Sequence, residues 1–79
     1  MARVLLFGPL RDLAGWRERE FEAPDLATLR CLIANDDPAL GEALAGKGVQ
    51  VAVDQAIVRA DAPLAARSEV AFLPPMSGG

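Results

Sequence analysis

The sequence predicts an α+β domain in which one main helix packs across a mixed sheet of about five strands. The chain has 79 residues, too few for two separate hydrophobic cores. Its 52% apolar residues against 24% charged ones are typical of a folded chain rather than a disordered one. Several short runs have strand patterning, and one segment is long enough for a main helix.

The N-terminal part of the chain contains two predicted strands. Residues 3–7 are an apolar run closed by a Gly-Pro pair, which predicts a central strand. A short helix is predicted over residues 10–14, because Pro9 suits a first helical position and Gly15 a C-terminal cap. The charged residues 17–23 predict an edge strand that pairs with the first one.

The main helix is predicted over residues 26–35. Asp25 is a favourable N-cap, and Leu26, Leu29, Leu32 and Ile33 then recur at helical spacing. An Asp-Asp-Pro sequence ends the helix. We therefore expect these four apolar side chains to pack on the sheet.

The C-terminal part continues with a short helix and three more strands. The helix is predicted over residues 39–44, and strands are predicted over 49–53, 56–59 and 69–73. Asp54-Gln55 forms a tight turn between the first two of these strands. The first and last strands of the chain are apolar enough to lie adjacent at the centre of the sheet. This order of elements is that of the β-grasp, or ubiquitin-like, fold.

The chain is predicted to end in an extended tail. The β-grasp domain covers residues 1–73, and the tail covers residues 74–79 and ends in Gly-Gly. Pro74 and Pro75 cannot continue a strand ladder, and their fixed φ stiffens the base of the tail. Glycines without Cβ atoms can thread a narrow channel in another protein. The sequence therefore indicates the carboxylate of Gly79 as the working group.

The composition argues against chemistry elsewhere on the chain. It has no histidine, no tyrosine and one cysteine, which removes most acid–base and nucleophilic sets and all Cys/His metal clusters. Asp36 and Asp37 supply too few oxygens for calcium, and residues 46–48 lack the spacing of a phosphate-binding loop. Cys31 is expected to be a half-buried small hydrophobe in the main helix. We expect no metal, no cofactor and no catalysis by this chain alone.

Charge and cysteine content also constrain partners and location. The net charge is −3 and the eight basic residues are scattered, so nucleic acid is not an expected partner. The apolar run before Gly8 is too short for a signal peptide or a membrane helix. The lone Cys31 suits a reducing compartment. These features predict a cytoplasmic protein that does not contact a membrane.

The chain resembles the small subunits of molybdopterin synthase, in the MoaD and ThiS group of ubiquitin-like sulfur carriers. Residues 69–79, Glu-Val-Ala-Phe-Leu-Pro-Pro-Met-Ser-Gly-Gly, are similar to the "EVAFFPPVxGG" ending typical of that family. Residues 4–7 and 10–15 resemble its first strand and "vRELvG" helix, and residues 51–55 its "aVNq" hairpin. The chain departs from these patterns at Pro9, at Asp12 in place of Glu, and at Asp54 in place of Asn.

The resemblance implies a sulfur-transfer cycle. An E1-like enzyme would adenylate Gly79 with ATP, and a persulfide would supply the sulfur of a C-terminal thiocarboxylate. The large synthase subunit, in a heterotetramer with this chain, would then use it to convert cyclic pyranopterin monophosphate. The resemblance implies that Gly79 is the reacting terminus and that Gly78 threads the partner's active site with it. It makes residues 74–77, Pro74, Pro75, Met76 and Ser77, the docking arm. Leu73 and Arg11 are implied at the interface with the partner.

Other functions fit the same ending. A sulfur carrier for thiazole and thiamine synthesis or for tRNA thiolation would share the fold and the adenylated Gly-Gly, although the Pro74-Pro75 pair favours molybdopterin. A ubiquitin-like modifier joined to lysines is a second alternative. A β-grasp interaction module with an inert end is a third.

Overall fold

The computed structural model describes residues 1–75 and contains five strands and three helices within that range. Every element predicted from the sequence is present, with boundaries that differ by at most two residues. In chain order the elements are β1 (Ala2–Leu6), α1 (Pro9–Ala14), β2 (Glu18–Phe21), α2 (Leu26–Asp36), α3 (Pro38–Leu44), β3 (Gln50–Val53), β4 (Ala56–Val58) and β5 (Glu69–Leu73).

The five strands form one mixed sheet in the order β2-β1-β5-β3-β4. β1 and β5 are parallel and central, while the other neighbouring pairs are antiparallel. Alternate residues of the central strands are buried, among them Val4, Leu6, Val70 and Phe72. The structure thus confirms the ubiquitin-like β-grasp fold and the central position of the first and last strands.

Helix α2 packs across the sheet through a narrower face than the sequence predicted. Leu26, Leu29 and Ile33 are buried, whereas Leu32 is 36% exposed and Cys31 is exposed. The expectations that Leu32 packs on the sheet and that Cys31 is half-buried were therefore wrong. Positions 29 and 33 lie on the buried face of the helix, and positions 31 and 32 lie on its more exposed flank.

Capping residues fix the ends of the helices as the sequence predicted. The Asp25 carboxylate accepts a 2.7 Å hydrogen bond from the backbone N–H of Thr28. Hydrogen bonds from the side chain and backbone of Thr28 lower the pKa of Asp25. Asp37 is extended, ends α2, and caps α3 by accepting a bond from the Leu40 N–H. Gly15 closes α1 in the left-handed conformation, at φ 82°.

Phe7 lies outside the hydrophobic core. Phe21 and Phe72 are buried, but Phe7 is 44% exposed and follows β1, which ends at Leu6, one residue earlier than predicted. Within residues 1–75, no helix has the length and apolar character needed to cross a membrane.

Candidate functional site

The site predicted from the sequence begins where β5 leaves the sheet between β1 and β3. The last register pairs there are Leu6 with Phe72 and Gln50 with Leu73. Two residues beyond the last pair with β1, Gly8 lies opposite Pro74. Two residues beyond the last pair with β3, Gly48 lies opposite Pro75. We call this region the exit edge, and it consists of Gly8, Gly48, Leu73, Pro74 and Pro75.

The prolines of the exit edge lie against the two glycines. A Cβ atom built on Gly8 would lie 3.5 Å from Cγ of Pro74, and one built on Gly48 would lie 2.9 Å from Cβ of Pro75. Both glycines have positive φ, 56° at Gly8 and 88° at Gly48, which other residues rarely adopt. The ladder ends here because prolines have no N–H to donate. The base of the tail is therefore in contact with the body.

The remaining predicted site residues lie in three different settings. Leu73 is half-buried as the last residue of β5. Arg11 is exposed on α1 and its Nε lies 3.9 Å from the Asp12 carboxylate, a surface ion pair. Four further predicted residues lie outside the described range, namely Met76, Ser77, Gly78 and Gly79. The division into a domain of residues 1–73 and a tail of residues 74–79 stays a prediction.

Three residues of this region were not predicted as functional from the sequence. Gly8 and Gly48 were interpreted only as turn residues, because their proximity to the prolines depends on non-local strand register. Phe7 was predicted only as the last residue of the first strand; its neighbour Leu6 is buried, so alternation along the chain turns Phe7 to the open face of the sheet. The Gly-Pro pair directly after Phe7 was the available signal that the strand ends there.

Arg30 supports the last strand from the core side. Its guanidinium carbon lies 5.3 Å from the ring centroid of Phe72, and its Nη1 donates a 3.4 Å hydrogen bond to the Leu44 carbonyl. Phe72 is completely buried in β5. A cation over an aromatic face at this distance is attractive. Arg30 thus links α2, α3 and β5 directly beneath the exit edge.

The exit edge offers shape and apolar surface rather than a reacting group. In the part of the chain that the structure describes, no three His, Cys, Asp or Glu side chains are placed to hold a metal ion. None of the five residues of the exit edge is charged. Its arrangement holds Pro74 and Pro75 against the body of the domain.

The ThiS family model matches residues 4–79. The chain is 37% identical over 81 aligned residues, spanning all of both chains, to the molybdopterin synthase sulfur carrier subunit of Escherichia coli K12. It superposes with a TM-score of 0.76 and 25% identity on a chain in the complex of subunits 1 and 2 of molybdopterin-converting factor from Helicobacter pylori, over 99% of this chain and 97% of that one. SAMP1 of Haloferax volcanii gives a TM-score of 0.79 at 26% identity, over 99% and 98% of the two chains.

Proposed function

Since this chain belongs to the ThiS family, we propose that it is the sulfur carrier subunit of a molybdopterin synthase, with sulfur carried on the carboxyl group of Gly79. The observation that carries the proposal is the 37% identity to the Escherichia coli sulfur carrier subunit, over an alignment that covers the whole of both chains and so extends through residues 78 and 79. The exit edge supports it, because Gly8 and Gly48 contact Pro74 and Pro75 at the point where β5 leaves the sheet.

The proposed chemistry begins with activation of an unreactive group. A terminal carboxyl has a pKa of about 3.5 in peptides, so at neutral pH it is an anion and a poor electrophile. An E1-like enzyme joins it to the α-phosphate of ATP, and pyrophosphate leaves. A persulfide displaces AMP and forms an acyl disulfide; a second thiol then attacks the donor's sulfur, forms a disulfide with it and releases the thiocarboxylate of Gly79. This chain supplies the acyl group, while the adenylating enzyme supplies the catalytic residues.

The large synthase subunit is the proposed acceptor of the loaded chain. The complex from Helicobacter pylori, which contains subunits 1 and 2, supports a partner of this kind. We place Phe7, Leu73 and Arg11 at the interface, because Phe7 is an exposed aromatic beside Gly8 and Leu73 lies on the same open face of the sheet. Residues 74–77 form the docking arm, and Gly78 and Gly79 enter the partner's active site.

Within the proposed heterotetramer, sulfur passes to cyclic pyranopterin monophosphate. Two such transfers complete the dithiolene of molybdopterin, and the large subunit holds the substrate. We place this cycle in the cytoplasm, where a reducing environment keeps a lone cysteine such as Cys31 as a thiol.

A protein-modifier function is the second candidate. It is favoured by the likeness to SAMP1, a small archaeal modifier protein, at a TM-score of 0.79 and 26% identity. A modifier needs the same activated Gly79 but transfers it to an amine, so that an isopeptide bond forms. A carrier for thiazole or tRNA thiolation shares every step up to the thiocarboxylate and differs only in the acceptor.

Intact-mass spectrometry separates these functions. We expect the chain, after incubation with the E1-like enzyme of its source organism, ATP and a persulfide donor, to have one oxygen replaced by sulfur at Gly79. Adding the large subunit and cyclic pyranopterin monophosphate should restore the carboxylate and yield molybdopterin. An isopeptide adduct to lysine would support the modifier instead. A terminus unmodified under all these conditions would contradict every carrier function.

A further inference from the structure

We propose that Gly48 is a positioning residue for sulfur transfer, because its missing side chain leaves the space that Pro75 occupies and so sets the direction of the chain beyond Pro75. The inference rests on the proposed function for its effect on activity. Its geometric part rests on the contact between Gly48 and Pro75 alone. The loop containing Gly48, residues 46–48, otherwise has no assigned role.

The contact leaves no room for a side chain. A Cβ on Gly48 would lie 2.9 Å from Cβ, 3.5 Å from Cγ and 3.7 Å from Cα of Pro75. A separation below 3.0 Å forces one of the two groups to move. The nearest atoms belong to a pyrrolidine ring, whose closure holds φ near −65°, so Pro75 cannot rotate its side chain away. A methyl group at Gly48 must therefore displace the Pro75 backbone, the loop, or both.

A displacement at Pro75 moves the point from which the last four residues of the chain start. Only residues 76–79 separate Pro75 from the terminal carboxyl group. The terminus has to reach a reactive geometry in the adenylating enzyme and again in the large subunit, and a misplacement of about 1 Å can reduce a rate about 100-fold. Gly48 itself lies in the body of this chain and takes no part in the bonds that form and break.

Gly15 provides a matched control for the backbone strain of any substitution at Gly48. The two glycines have nearly the same positive φ, 82° at Gly15 and 88° at Gly48. A Cβ on Gly15, however, would have no atom within 4 Å outside its immediate neighbours. Gly15→Ala therefore introduces the left-handed strain without the contact. Differences between Gly15→Ala and Gly48→Ala report the contact with Pro75.

The geometric part is tested by nuclear magnetic resonance of the carboxylate form. We expect a nuclear Overhauser effect between the Gly48 Hα and Pro75 Hβ protons in the wild type. In Gly48→Ala, the resonances of Leu73 and Pro75 should shift, whereas in Gly15→Ala they should stay at their wild-type positions. Absence of the wild-type contact, or equal shifts in both variants, would overturn the inference without reference to any activity.

The functional part is tested by the rate of thiocarboxylate formation with the same E1-like enzyme, ATP and persulfide donor. We expect Gly48→Ala to lower kcat/KM by about 10-fold or more, and Gly15→Ala to stay within about twofold of the wild type. Pro75→Gly alone should also lower the rate. Combining it with Gly48→Ala should add little, because the clashing ring is already gone.

The results for the wild type and for the variants test the carrier function and the positioning role of Gly48 separately. A wild-type chain that is never thiocarboxylated overturns the proposed function. A wild-type chain that is loaded, with Gly48→Ala reacting as fast as Gly15→Ala, overturns the positioning role and leaves the carrier function standing. Should Gly48→Ala fail to fold, Pro75→Gly decides: Pro75 is exposed, and an unchanged rate in that variant contradicts the inference.

Discussion

The two ends of β5 are held in opposite ways. At its start, the backbone N–H of Glu69 donates a 2.9 Å hydrogen bond to Asp54. The buried Ser68 hydroxyl accepts from the Ala65 N–H at 2.7 Å and donates to the Asp54 carboxylate at 3.3 Å. Arg3 donates to the Glu69 carboxylate at 2.7 Å. That bond, followed by the charge of Glu18, raises the pKa of Arg3.

At its other end, β5 is followed by prolines that cannot continue the sheet, and its neighbours there are glycines. Pro74 and Pro75 have no N–H, and Gly8 and Gly48 have no side chains where the prolines approach them. Hydrogen bonds from side chains fix the start of the strand, whereas at its end the missing side chains of the glycines make room for the prolines. Substitutions at the start should therefore change stability, and substitutions at or beyond the exit should change sulfur transfer.

The largest effect is expected from Gly78→Val. A β-branched side chain should block entry of the terminus into a narrow channel of the large subunit, while the body still docks. Conversion of cyclic pyranopterin monophosphate by the thiocarboxylated variant should fall about 100-fold, a loss typical of misplaced reacting groups. Affinity for the large subunit, measured by calorimetry, should change far less.

Gly78→Ala is the graded control for that prediction, since it adds one methyl group instead of three carbons. Its rate should lie between those of the wild type and Gly78→Val. Transfer by Gly78→Val at the wild-type rate would contradict threading and leave the Gly-Gly pair to be explained by adenylation alone.

Ser68→Ala should produce the converse result. The substitution removes the hydrogen bonds that this 2% exposed side chain makes with the Ala65 N–H and the Asp54 carboxylate. Because Ala65 is exposed, its N–H can bond water instead, so the cost is about 0.5 to 1.5 kcal/mol. We expect the midpoint of urea unfolding to fall accordingly, with sulfur transfer unchanged under conditions where the variant is folded. The other serine, Ser77, gives the stability control, and Ser77→Ala should not move the midpoint.

Asp25 should make a smaller, pH-dependent contribution. Because its pKa is lowered in the folded state, its stabilisation is present above its unfolded pKa of about 3.9 and is lost as the pH falls through the folded value. Asp25→Asn keeps a capping side chain but cannot titrate. The stability of the wild type should fall relative to that of the variant as the pH drops below about 4. Parallel pH profiles from unfolding experiments would contradict this assignment.

Much of this architecture was predictable because its signals are local. The caps at Asp25 and Gly15 and the break before Pro38 mark helix ends within a few residues. The exposure of Leu32 and the approach of Gly48 to Pro75 depend instead on how distant segments pack. At the exit edge the prolines were predictable from the sequence because proline limits its own backbone, whereas the role of a glycine depends on its neighbour in space.

The smallest effect is expected from Cys31→Ala. The thiol is exposed on α2, so its removal should change the free energy of unfolding by no more than about 0.5 kcal/mol. Sulfur transfer should be unchanged, because sulfur is carried on the terminus and not on this thiol. Loss of transfer in a folded Cys31→Ala chain would reverse that assignment.

The most direct test of the contrast between the two ends of β5 compares the wild type with a chain that lacks Gly79 and a chain extended by one glycine. Unfolding and thiocarboxylate formation should be measured on the same samples. We expect both altered chains to unfold within about 0.5 kcal/mol of the wild type and to form no thiocarboxylate that the large subunit can use. Transfer by either altered chain at the wild-type rate, or a large loss of stability on deleting Gly79, would contradict the account.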